Sequence, residues 1–169
     1  MTMKKEANLL MWGVILSTFS LNLFRIPILP KAVGLLIWYV GTCKLCRTEE
    51  AGSTEEKWRR TAELSALLLF FLAAVQTLCA LTGLSSRFPE TLMEQMAALS
   101  FLLELCCGLS ILTILGGRSF YLYALLLLIA VAAYEYSLVL SSSAWNTTAA
   151  LFSIFSRLVL IVRLANRAA

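Results

Sequence analysis

Glu104 and Arg157 are the side chains in this sequence best placed to do chemistry, because each stands inside a long apolar run. An ionisable group at mid-bilayer costs about 2.5–3.5 kcal/mol even on mild insertion scales, so such groups face protein or water and find a partner. Counting residues sets their depth. Each lies about 12 residues from the same-side end of its run, which at 1.5 Å per residue is ~18 Å in. Glu135 lies only about 6 residues, or ~9 Å, from that end of its own run, and Glu94 is shallower still. By depth, Glu104 and Arg157 are the natural pair, with Glu135 as a second choice for Arg157. Such groups either line a substrate path or neutralise each other in a static interhelical bridge, and the bridge is the default. Of the uncharged polar residues in apolar runs (Asn22, Gln76, Thr77 and Thr113), Gln76 is the most site-like, since an unpaired amide in hydrocarbon is costly.

Cys43-Lys44-Leu45-Cys46 is a second candidate. Its spacing places both thiols on one side of a helical turn, and the neighbouring lysine would lower a thiol's pKa. Such pairs serve redox exchange or metal binding, but a metal site wants four ligands and the chain contains no His. Cys79, Cys106 and Cys107 bring the cysteines to 5, an odd number lying mostly in apolar runs. Thiols acting as small hydrophobes are therefore the default. All 10 acids are Glu. Phosphate-binding loops, nucleophile elbows and paired metal-ligand histidines are all missing. The sequence points away from an enzyme, a cofactor and a metal site.

The elements that must carry these residues are membrane helices. Apolar residues make up 60% of the 169, against about 45–50% in a soluble domain. They are gathered into runs. Residues 7–24, 64–86 and 136–156 contain no charge, and ~20 predominantly apolar residues cross a bilayer core as a helix. The reading is an all-α polytopic bundle of about six spans, near residues 7–25, 31–46, 61–84, 91–115, 119–140 and 144–164, forming one integral membrane domain. Met1-Thr2-Met3-Lys4-Lys5 before an apolar run also suits a signal peptide, but no A-x-A cleavage site follows, so a first span is expected. Pro27 and Pro30 break the chain before the second span, which at ~24 Å is short enough that a re-entrant hairpin is its alternative. Ser53-Thr54-Glu55-Glu56 reads as a capping box that starts the third helix in water, ahead of a Trp58-Arg59-Arg60 headgroup anchor. Gly34, Gly41 and Gly108 are expected where helices pack closely.

Lys and Arg set the orientation. With the N-terminus inside, ten of the 14 fall on inner segments, including the loop of residues 47–60. Three, Arg25, Lys31 and Arg87, fall on outer turns, and Arg157 is intramembrane. Both termini are then cytoplasmic. The net charge of +4 is mostly juxtamembrane and leaves no basic face for nucleic acid. The expected partners are the lipid bilayer and either a second copy or another membrane protein.

Ile28, Leu29, Pro30, Gly34, Gly41 and Lys44-Leu45 carry a resemblance. The stretch is similar to the first hairpin of a group of small bacterial multi-pass membrane proteins with an Ile-Leu-Pro-Asp-Phe-Ile-Gly-Tyr-like motif. Lys31, Ala32 and Leu35 stand where that motif has Asp, Phe and Tyr. The resemblance covers about 25 residues, a little more than one helical crossing. It implies a bacterial inner-membrane protein and no particular activity. Function is expected to be that of a non-enzymatic packing or interaction component, with a small transporter or channel using Glu104, Glu135 and Arg157 as the alternative.

Overall fold

The computed structural model describes residues 2–18, 22–23, 26–27, 31–48, 53–83, 89–116, 119–140 and 143–168. Six helices account for almost all of them: α1 (Thr2–Thr18), α2 (Lys31–Thr48), α3 (Ser53–Leu81), α4 (Glu90–Leu115), α5 (Ser119–Leu140) and α6 (Ser143–Ala168). A two-residue antiparallel pair, β1 (Asn22–Leu23) with β2 (Ile26–Pro27), lies between α1 and α2. Each helix packs on the next in sequence, and α6 packs back on α1, so the six close into a ring.

Four helices, α3 to α6, are long and apolar enough to cross a membrane. Their outward surface agrees. Val139 is 79% exposed and Tyr121 72%, with Leu78, Leu81 and Leu125 also bare, an apolar coat that a water-soluble surface would not carry. The ring interior holds Leu10, Trp38, Ile111, Leu127 and Leu160, all buried.

Helix ends follow local chemistry. α4 begins at Glu90 directly after Pro89, which is extended at φ −56° and ψ 139°, and it stops at Gly116, whose φ of +67° favours glycine. α5 has the bounds expected from its apolar run. α1 does not. It ends at Thr18 instead of running on to residue 25, and Asn22–Leu23 and Ile26–Pro27 form the β1–β2 pair. Near that end the Ser17 and Thr18 hydroxyls both donate to the Val14 carbonyl, at 2.8 and 2.7 Å. α3 begins at Ser53, as its hydrophilic start suggests, but the side chains of Ser53 and Thr54 lie outside the described residues. The capping-box expectation therefore lies outside the described residues, and Glu56 accepts from Arg60 at 2.5 Å in an exposed i,i+4 pair.

The α1–α2 contact is a backbone contact. A Cβ on Gly13 would lie 2.6 Å from the Trp38 Cα, one on Gly34 2.7 Å from the Ser17 Cα, and one on Gly41 2.7 Å from the Leu10 Cα. These approaches run in opposite directions along the two helices, so α1 and α2 form a tight antiparallel hairpin. Gly34 and Gly41 were expected as contact positions. Gly13, which completes the set, was not singled out.

Candidate functional site

Glu104 and Arg157 sit near mid-length of α4 and α6, and the ring closure turns them toward each other. Arg157 Nε donates to Glu104 Oε1 at 2.6 Å, and its Nη2 donates to Oε2 at 2.7 Å. This is the parallel two-bond fork that makes guanidinium–carboxylate pairs strong and geometrically specific. Glu104 is 3% exposed and Arg157 8%, so the pair is buried within the bundle. The pairing inferred from depth alone is therefore present.

Two further helices reach it. Arg157 Nη1 points at the end of α1, 3.4 Å from the Ser17 carbonyl and 3.5 Å from Thr18 Oγ1. A cation at a helix C-terminus satisfies carbonyls that the helix leaves open and opposes its dipole. Lys31, the first residue of α2, is within electrostatic reach of both Arg157 and Glu104. Sequence counting had put Lys31 on an outer turn. In the fold, α1 stops and α2 starts at the level of two residues that lie midway along α4 and α6. The two short helices therefore end within the bundle, beside its central charges.

Below the pair, Tyr123 of α5 is fully buried and donates its hydroxyl to the Glu104 backbone carbonyl at 2.9 Å. Gly108 makes room for it, since any Cβ there would collide with the Tyr123 ring and hydroxyl. Tyr123→Phe should lower stability by about 1 kcal/mol, the net worth of one such bond, read as a small drop in the unfolding midpoint in detergent. An unchanged midpoint would show that the hydroxyl is idle.

The other residues singled out from sequence are placed elsewhere. Glu135 is exposed on α5 and forms no ion pair among the described residues, so it is not the alternative partner of Arg157. Gln76 is half-buried on α3 and apart from the charge cluster, with no side-chain hydrogen bond among the described residues. The cysteines diverge. Cys43 lies beside Tyr39, and Cys46 is buried with its Sγ 3.9 Å from the Arg59 carbonyl. Cys107 is buried with its Sγ 3.8 Å from the Ala62 carbonyl, while Cys106 faces outward. None of the five cysteines is in a disulfide, and no group of three metal-ligand side chains occurs among the described residues.

Sequence reasoning missed Ser17, Thr18, Lys31 and Tyr123 as members of the central cluster. Their only signal is polarity within or beside apolar runs, which many packing residues share. It also missed the far end of the bundle. There Arg167 Nη2 donates to the Leu115 carbonyl at 2.6 Å and Arg163 Nη2 donates to the Gly116 carbonyl, so α6 caps the C-terminus of α4 with two cations. Arg59 is buried on α3, with its Nε and Nη2 lacking partners among the described residues. Comparison with protein-family models, with curated proteins and with solved structures finds no match to this chain.

Proposed function

We propose that the chain is a non-enzymatic, multi-pass component of a bacterial inner membrane, working through packing and association, with Glu104–Arg157 as the clamp that fixes its bundle. The observation that carries this reading is the doubled hydrogen bond between two buried side chains: each carboxylate oxygen accepts from Arg157, and burial keeps the pair closed within the bundle. Four crossings by α3 to α6, after an α1–α2 hairpin that turns within the bundle, would place both termini on one side of the bilayer. The weight of Lys and Arg in the segments 1–6, 44–60, 118 and 163–167 supports a cytoplasmic assignment for that side. A second copy or another membrane protein is the natural partner for a chain with so little mass outside the bilayer.

A second reading has its own support. The α1 and α2 ends lie beside the pair, and small transporters build their sites from helices that break off near the bilayer midplane. Reconstituted liposomes separate the two. The packing reading expects no solute or ion flux above protein-free vesicles, and Glu104→Gln should lower the unfolding midpoint without altering permeability. Flux by wild type that a folded Glu104→Gln or Arg157→Gln variant loses would replace packing with transport.

A further inference from the structure

We propose that the groove between α5 and α6 is a seat for one anionic phospholipid, with an acyl chain along the groove and the phosphate held by Arg163 and Arg167. The inference rests on the bundle lying in a bilayer, and not on whether the central ion pair is static or part of a path.

The groove has a volume of about 550 Å³. Its walls are Leu122 and Leu126 of α5 with Phe155 and Val162 of α6, and Arg163 and Asn166 close one end. From Phe155 to Asn166 the helix rises roughly 16 Å at 1.5 Å per residue, about half of a ~30 Å hydrocarbon core. An apolar channel one leaflet long, with cationic and amide groups at one end only, has the polarity of a lipid lying with its head at the bilayer surface.

The charges at that end call for an anion. A guanidinium carries five N–H donors. Arg163 spends one on the Gly116 carbonyl and Arg167 one on the Leu115 carbonyl, and the Arg163 Nε is buried with no partner among the described residues. Carbonyls at a helix C-terminus supply partial negative charge only. Among the described residues, neither Arg163 nor Arg167 forms an ion pair with a carboxylate. Arg167 and Asn166 are exposed, which leaves the head-group end open. A phosphate diester bearing a net negative charge can bridge two guanidiniums, whereas a zwitterionic head group brings its own cation to the same place. Basic groups near a membrane surface are each worth about a fivefold gain in affinity for anionic lipid.

The test uses the full chain, purified and stripped of lipid in detergent. Phosphatidylglycerol, phosphatidylcholine of the same acyl chains, and inorganic phosphate are titrated separately, with retained lipid counted by native mass spectrometry and the unfolding midpoint followed in parallel. One phosphatidylglycerol per chain should be retained in preference to phosphatidylcholine and should raise the midpoint, and inorganic phosphate should do neither. Arg163→Gln should cost about fivefold in affinity for phosphatidylglycerol and leave phosphatidylcholine unchanged. Arg60→Gln, which removes an exposed arginine outside the groove, should change nothing. Val162→Trp fills the groove while keeping both cations and should weaken both lipids, so it serves if Arg163→Gln fails to fold. Equal retention of the two lipids overturns the proposal. So does protection by inorganic phosphate alone, which would mark a free-anion site, or a dimer that persists without lipid and excludes it.

Discussion

Arg157→Leu is expected to destabilise the protein by about 3–5 kcal/mol, because it strands the Glu104 carboxylate in the bundle interior without its partner. Glu104→Leu should do comparable damage from the other side. Leaving a guanidinium unpaired is as costly as leaving a carboxylate, and arginine cannot escape by deprotonation. The Glu104→Leu/Arg157→Leu double variant should be more stable than either single variant, since a well-packed apolar pair removes both charges together. Its remaining deficit reports what Arg157 contributes at the end of α1, where it faces the Ser17 carbonyl and the Thr18 hydroxyl. Unfolding midpoints of the four proteins in one detergent form a double-mutant cycle. A coupling near zero would show that the two side chains do not depend on each other, and would remove the clamp from the proposed function.

Gly34→Val should be the most damaging substitution in the α1–α2 hairpin. A Cβ at that position meets the backbone of Leu16 and Ser17, so no side-chain rotation can relieve the overlap and the helices must move apart. Overpacking of a tight core typically costs 1–3 kcal/mol, and a clash with backbone belongs at or above the upper end of that range. Gly41→Val is expected to act similarly through the Leu10 Cα, while Ala132→Val, on an exposed position of α5, should stay near neutral. The same midpoints read the result. The hairpin ends beside Arg157, so Gly34→Val should also weaken the coupling measured in the first cycle. If Gly34→Val and Ala132→Val behave alike, the close approach of α1 and α2 is not a feature of the folded protein.

Apolar runs, prolines and glycines by themselves determined that the chain is a helical bundle and located α4 and α5 to within a residue, but they led to about six spans where four helices are long and apolar enough to cross. Depth counting also paired Glu104 with Arg157 correctly. That was possible because a regular helix converts residue number into height, and a buried charge can be answered only at its own height. Azimuth and partner are a different matter. Whether Glu135 turned inward, whether Cys106 or Cys107 was buried, and whether Gln76 met anything depended on how neighbouring helices rotate against one another. In spans that are apolar on all sides, little in the sequence marks the inward face. Only the tertiary structure decided that α1 stops at Thr18, that Lys31 belongs with the central charges rather than on an outer turn, and that Gly13 joins Gly34 and Gly41 in a single contact. Those outcomes rest on contacts between residues far apart in the chain, such as Arg157 with Ser17 and Arg163 with Gly116, which no local pattern encodes.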